Sequence, residues 1–172
     1  SSAVNFNKYA FCTQISRAFF NEKLSLSVGL RFDGNSYNKN MANIFNQVSP
    51  SFSASYSINK MFSLNFNTGM YHQLPSYTTL GFRDNSNNLV NKDRLKYIRN
   101  VQVVGGVSMV TTSNTKIAVE GFMKRYYNYP MLLNKGISLA NLGGDFGWIG
   151  DEPAASTSKG KAYGVETSVQ QK

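Results

Sequence analysis

The feature that most constrains this chain is an alternation of apolar and small polar residues along most of its length. Between Leu24 and Asp33 the even-numbered residues are apolar and the odd-numbered ones are small, polar or charged. The same alternation recurs in 48–59 and 62–67, and more weakly in 9–18, 98–111, 115–127 and 162–172. Successive side chains of a strand point to opposite faces, so this period of two predicts about seven strands, each with one apolar face, and no helix.

The connections between these strands alternate in length. Short turns are expected near 20–23, 59–61 and 112–114, and long loops near 34–47, 73–97 and 128–161. Consecutive connections of an up-and-down meander lie at opposite ends, so the short turns share one end and the long loops the other. This asymmetry is typical of outer-membrane barrels. We therefore predict an all-β, antiparallel up-and-down meander in which residues 1–172 are part of a larger transmembrane β-barrel.

A soluble β-sandwich with one buried face would show the same alternation. Two features favour the membrane barrel. Long loops confined to one end are uncommon in compact domains. The second face of the strands is also small and polar, rather than rich in Lys and Glu, as expected of a surface that faces a barrel lumen.

Composition removes several function classes. Cys12 and His72 are the only residues of their types, which excludes an internal disulfide and a His/Cys metal site, so we expect no metal and no cofactor. Lys and Arg number 18 and Asp and Glu 9, giving a net charge of +9. The basic residues are scattered over loops and strand ends rather than interleaved with aromatics on one face, so no nucleic acid is expected as a partner. His72 with one of the many Ser residues would need an orienting group and oxyanion donors, which the sequence does not locate, and we therefore expect no enzyme.

Five short motifs follow one another along the chain. They are Gly29-Leu30-Arg31-Phe32-Asp33, Ser49-Pro50, Gln73-Leu74-Pro75, Glu120-Gly121-Phe122-Met123-Lys124 and Gly164-Val165-Glu166. In this order, and with this alternation of loops, they resemble the C-terminal part of the barrel of a TonB-dependent outer-membrane receptor. The resemblance implies a barrel of about 22 strands whose lumen is plugged. No segment resembles the plug or the TonB box, so the chain looks like a barrel fragment that cannot drive uptake alone.

The resemblance also implies a function and partners. It indicates a segment of a receptor in the bacterial outer membrane for energised uptake of a nutrient such as a siderophore, a cobalamin-like cofactor or an oligosaccharide. The implied partners are outer-membrane lipid and lipopolysaccharide, the plug and remaining barrel strands, TonB through the plug, and an unknown nutrient ligand. A passive channel or adhesin barrel, and a soluble β-sandwich binding module, are the alternatives.

Directing the apolar residues toward lipid predicts a lumenal charge network. Its members would be Arg31, Asp33, Glu120, Lys124 and Glu166. Charges facing hydrocarbon are costly, whereas charges facing water or a plug are useful. Glu120 and Glu166 are expected on neighbouring strands, where they would repel each other unless Lys124 or another cation lay close. The alternative, which we favour, is that these charges are ion pairs of the barrel wall that hold the plug or each other.

Aromatic residues collect at strand ends and in the longest loop, where they suit an interface belt or a ligand-binding vestibule. The candidate ligand-binding residues are Tyr71, His72, Gln73, Tyr77, Arg83 and Trp148. The basic segment 83–99 would steer an anionic nutrient or meet the phosphates of lipopolysaccharide. Asp145, Asp151 and Glu152 match no calcium-loop spacing, and an acidic loop is the better interpretation of that segment.

Overall fold

The chain forms one antiparallel sheet. The computed structural model describes residues 4–111, 115–142 and 152–171, and within these ranges the sheet has eight strands. They are β1 (Lys8–Phe19), β2 (Leu24–Asn35), β3 (Val48–Ser57), β4 (Phe62–Gln73), β5 (Ile98–Val110), β6 (Thr115–Leu132), β7 (Ile137–Ser138) and β8 (Ala154–Gln171). Each strand from β1 to β6 pairs with the next along the chain, and both β7 and β8 pair with β6. The predicted all-β antiparallel meander is confirmed.

Helical structure is confined to the connections. Helices α1 (Lys39–Ala42) and α2 (Tyr77–Leu80) are single turns, each capped by the side chain of the residue before it, Asn38 or Ser76. Two 3-10 turns cover Ile44–Gln47 and Leu139–Asn141. One turn of helix is too short to show a period of 3.6, which is why the sequence did not predict these elements. In the part of the chain that the structure describes, no helix has the length and apolarity needed to span a bilayer.

The two faces of the sheet differ in exposure. In a soluble protein the apolar face of a sheet is buried and the polar face is exposed, whereas here the reverse holds. Val107 and Val119 are paired across β5 and β6 and are 45% and 46% exposed. Ser108 and Ala118 are the next pair, on the other face, and are only 6% and 8% exposed. The face carrying Val107 is called the apolar face below, and the face carrying Ser108 the polar face. In β5 and β6 the sheet thus shelters its polar face and presents its apolar face to the surroundings.

The connections differ in length. The turn at 20–23 between β1 and β2 holds Phe20, Asn21 and Glu22 at positive φ, and residues 58–61 join β3 to β4. The predicted turn at 112–114 lies outside the described residues. Residues 36–47, 74–97 and 133–153 form the longer connections.

The last of these connections begins later and ends earlier than the sequence analysis placed it. The analysis expected a loop near 128–161, whereas β6 extends to Leu132 and β8 begins at Ala154. Two register shifts between Tyr126 and Pro130 interrupt the ladder, and Asn128 has a φ of 57°. A β-bulge of this kind breaks the period of two, so alternation could not reveal the outer parts of these strands.

The buried apolar cluster of the described ranges lies among the long connections rather than on the sheet. It comprises Tyr37, Met41, Leu80, Leu95, Tyr97, Leu132, Leu139 and Ala154. Val4 and Phe6, from the segment before β1, pack against it. The described parts of the three long connections therefore pack together at one end of the sheet, and we call this unit the loop cluster.

Buried amide side chains join the segments of the loop cluster. Asn91 is fully buried; its Nδ2 donates to the carbonyl of Thr79 at 2.9 Å, and its Oδ1 accepts from the amide of Ala154 at 2.8 Å. Tyr37 donates its hydroxyl to the carbonyl of Leu80 at 2.7 Å. Burial, with a smaller effect of Asp93, raises the pKa of Tyr37 to about 12, so this phenol stays neutral and remains a donor at ordinary pH.

We expect Asn91→Ala to loosen the loop cluster without dissolving the sheet. The change leaves the buried carbonyl of Thr79 and the amide of Ala154 without this partner, at about 1–3 kcal/mol for each unsatisfied group. Hydrogen exchange in 74–97 and 152–156 measures the effect, which should be a local rise in exchange. Asn85→Ala is the matched control, because Asn85 is an exposed amide in the same connection. Equal exchange in the two variants would contradict the role of Asn91 in joining Thr79 to Ala154.

Candidate functional site

The polar face carries an open cavity of about 520 Å³. Most of its lining residues carry hydroxyl or amide groups, and Glu120 and three apolar residues complete it: Ser25, Ser53, Ser55, Asn65, Asn67, Tyr71, Gln102, Glu120, Ala54, Phe66 and Val104. Ser55 donates to Asn65 at 2.9 Å, and Asn65 donates to Ser108 at 3.2 Å. Short side chains of this kind let another polypeptide or a polyol approach the backbone closely and form hydrogen bonds with it.

Two of the predicted lumenal charges form a bidentate pair. Arg31 and Asp33 lie two residues apart on one face of β2, with the guanidinium 2.7 Å and 2.8 Å from the two carboxylate oxygens. Their spacing of two along a strand places them side by side, because alternate residues share a face. The carboxylate of Asp33 thus neutralises Arg31 within the same strand.

The other predicted charges lie on β6 and β8. Glu120 and Glu166 are directly opposite each other in the ladder. Lys124 lies on the same face of β6, but its Nζ is 5.0 Å from the ring centre of Phe122, which stands between Lys124 and Glu120 in that row. Phe122 in turn covers Gly164, where a Cβ atom would come within 2.8 Å of the ring. Within the described ranges, the ion pairs are Arg31–Asp33 and Lys135–Glu152, so the two glutamates have no paired cation there.

The candidate ligand-binding residues are dispersed. Tyr71 lines the cavity of the polar face, and its hydroxyl is 3.5 Å from Oδ1 of Asn67. Gln73 is exposed at the end of β4. Tyr77 accepts a hydrogen bond from Lys8 and stacks on Phe6 in the loop cluster.

Arg83 donates to the carbonyl of Asn87 at 2.7 Å within its own connection. Trp148, together with Asp145 and Asp151, lies outside the described residues. The remaining acidic residue of that segment, Glu152, is 3.1 Å from Lys135. Among the candidates that lie within the described ranges, Tyr71 alone lines the cavity.

His72 has a partner that the sequence did not reveal. Its Nδ1 lies 3.0 Å from Oγ of Ser49. Ser49 is 5% exposed, so its hydroxyl is not open to a substrate, and the contact joins β3 to β4. The sequence analysis also missed Asn91 and Asn38, whose amide side chains join the long connections. Asn38 donates to the carbonyls of Lys92 and Leu95. Their only sequence signal is that they are amides in long connections, which many other Asn residues of this chain share.

The apolar face is exposed across the whole sheet. One row of paired residues runs from Ile15 on β1 through Val28, Val103 and Met123 to Tyr163 on β8. These five side chains are 76%, 58%, 40%, 45% and 77% exposed. The row is apolar except at Thr68 on β4, and an exposed apolar surface of this extent indicates contact with a membrane or with another apolar partner.

Known proteins identify the architecture. A family model described as "TonB dependent receptor-like, beta-barrel" matches residues 1–172. A search of the curated proteins finds no match. Among solved structures, the alcaligin outer membrane receptor FauA from Bordetella pertussis superposes with a TM-score of 0.58 and 17% sequence identity, over 96% of this chain and 27% of that chain.

The match to FauA shows a shared fold, and the chain spans about a quarter of the length of that receptor. The family match covers every residue of the chain and confirms the resemblance found in the sequence. Receptors of this family are proteins of the Gram-negative outer membrane. The chain belongs to the TonB-dependent receptor family, in which it forms a segment of the β-barrel.

Proposed function

We propose that this chain forms part of the wall of a receptor that takes up a nutrient across the outer membrane with energy delivered through TonB. The inverted exposure of the two faces carries the proposal, since Val107 and Val119 are open while Ser108 and Ala118 are sheltered. In a membrane barrel the first pair contacts lipid and the second faces the lumen. Energised uptake belongs to the whole receptor, of which this chain is one segment.

The polar face suits contact with a plug. Its hydroxyl and amide groups lie in a cavity of about 520 Å³ with one carboxylate, Glu120, in the lining. Such a surface offers hydrogen bonds to a folded domain without fixing a large charge in the lumen. The loop cluster lies at one end of the same sheet, where its apolar side chains pack together. These features favour a plugged receptor over a passive channel or an adhesin.

The nutrient would contact the outer part of the wall and the loops. Tyr71 supplies an aromatic surface beside the amides Asn67 and Gln102 in the cavity. A ring beside polar groups suits a siderophore, a cobalamin-like cofactor or an oligosaccharide. We include His72, Gln73, Tyr77, Arg83 and Trp148 in the proposed ligand path.

Uptake assays test the proposed function. Cells that lack the gene for this receptor should lose uptake of one of the three nutrient classes at limiting concentration, and the full-length gene should restore it. The restored uptake should require TonB, because the plug transmits the energy. Measuring uptake of ferric siderophore, cobalamin and oligosaccharide in cells with and without TonB checks this. Restored uptake that persists without TonB would instead indicate a passive channel.

We further propose that a cation of the plug neutralises the carboxylates Glu120 and Glu166. The two residues are opposite each other, and Phe122 keeps Lys124 apart from Glu120. Like charges directly opposite in a ladder are destabilising. A counter-charge from the lumen would remove this penalty and attach the plug to the wall.

We expect Glu120→Gln to lower the thermal stability of the plug-containing receptor, because the plug cation loses a charge-assisted contact worth about 1.5–3 kcal/mol. Thermal unfolding of the purified receptor measures the change. Glu22→Gln removes an exposed carboxylate from the turn between β1 and β2 and should have little effect. If Glu120→Gln instead stabilised the receptor, the two glutamates would simply repel each other and the plug contact would be wrong.

A further inference from the structure

The pairing between β3 and β4 stops before either strand does. Their ladder begins at the pair Ser51 and Gly69 and runs from there toward the turn that joins the two strands. β3 starts before this pair and β4 continues beyond it. Residues 48–50 and 70–73, all of them described, therefore have no ladder partners across the line between the strands. We call this unpaired stretch the seam.

The seam has complete ladders on both sides. β2 pairs with β3 as far as Phe32 and Val48, and β4 pairs with β5 as far as Gln73 and Ile98. Pro50 lies in the seam and has no amide hydrogen to donate to a neighbouring strand. The sheet thus divides into two halves at its loop-cluster end, and side chains must join the halves there.

His72 and Ser49 make such a contact. Nδ1 of His72 lies 3.0 Å from Oγ of Ser49, and Ser49 is buried. A neutral imidazole has one nitrogen that accepts a hydrogen bond, whereas in the charged imidazolium both nitrogens are donors. The hydroxyl of Ser49 can therefore donate across the seam only while His72 is neutral.

The charges around this contact oppose a second positive charge. Arg99 is the ladder partner of His72 on β5, and Arg31 is the ladder partner of Ser49 on β2. The carboxylate that acts on His72 is that of Asp33, and both of its oxygens already accept hydrogen bonds from Arg31. The Nε atom of Arg99 is buried without a hydrogen-bond partner. A charged His72 would face Arg99 directly, and like charges opposite each other in a ladder are destabilising.

We propose that protonation of His72 controls the seam, which is closed while the imidazole is neutral and opens at its loop-cluster end when the imidazole is charged. Histidine is the side chain that ordinarily changes charge between about pH 8 and about pH 5. Leu74 follows β4 directly and packs against the loop cluster, so opening of the seam also displaces the connection 74–97. The wall itself then responds to the acidity of the medium.

The width of the seam in the full-length receptor tests this proposal. Nitroxide labels at the exposed positions 46 and 73, after replacement of Cys12 by serine, report the distance between the two halves by dipolar electron paramagnetic resonance in detergent micelles. We expect a longer distance whose population rises up to about fivefold on acidification, the size expected for like charges opposite each other in a ladder. This measurement leaves His72, Ser49 and Arg99 unaltered.

Three variants separate the charge of His72 from other effects of acid. His72→Gln still accepts a hydrogen bond but gains no proton, so it should keep the short distance at both pH values. His72→Lys carries its charge at both pH values and should show the longer distance at both. Ser55→Ala is the matched control, because Ser55 donates from β3 to Asn65 on β4 at 2.9 Å inside the paired part of the ladder. It should behave as the unaltered receptor does.

Two results would overturn the proposal. One is an unchanged distance in the unaltered receptor between the alkaline and the acidic condition. The other is a response to acid in His72→Gln equal to that of the unaltered receptor, since the titrating group would then lie elsewhere. The distances are measured without nutrient or TonB, so their outcome is independent of the uptake assays.

Discussion

The pairing of backbone hydrogen bonds along the sheet is the constraint on which the rest of the structure depends. Hydrocarbon offers no partner to a peptide group, so a strand crosses a membrane only when its neighbours satisfy its amides and carbonyls. The ladder from β1 through β6 to β8 supplies those partners strand by strand in antiparallel register. Once the backbone is paired in this way, successive side chains must alternate between two environments. The alternation of apolar and small polar residues is the form in which the sequence meets that requirement.

The long connections are stabilised in the same way as a soluble protein, by burial of apolar side chains and by hydrogen bonds of buried polar groups. Outside the sheet, a cluster of apolar side chains excludes water, and buried amides such as Asn91 and Asn35 satisfy the backbone and side-chain groups around them. Tyr37 contributes an apolar ring and a donor to Leu80 at once. The molecule therefore combines a sheet whose apolar face is exposed with long connections that pack around a buried apolar cluster. The two parts meet at the ends of β2, β4, β6 and β8.

How far the sequence predicted this structure depended on how local the determining interaction was. The strands were predictable because alternation is a property of neighbouring residues, and prediction failed at the bulge between Tyr126 and Pro130, where the ladder itself is irregular. That Arg31 and Asp33 share one face of β2 followed from their spacing of two, whereas their ion pair was not predicted. The position of Lys124 over Phe122, the contact of Ser49 with His72 and the packing of the loop cluster did not follow, because they depend on rotamers and on segments far apart in sequence.

The most direct test of the account is to measure which face of the sheet meets lipid. Nitroxide labels would be placed singly at positions 107, 108, 118 and 119 of the membrane-embedded receptor, after replacement of the exposed Cys12 by serine. The account predicts that labels at 107 and 119 collide with oxygen dissolved in the bilayer and are protected from a water-soluble nickel complex. Labels at 108 and 118 should show no such preference for the lipid-dissolved relaxant. Equal access of the nickel complex to all four positions, or lipid contact at 108 and 118, would contradict the assignment of the two faces.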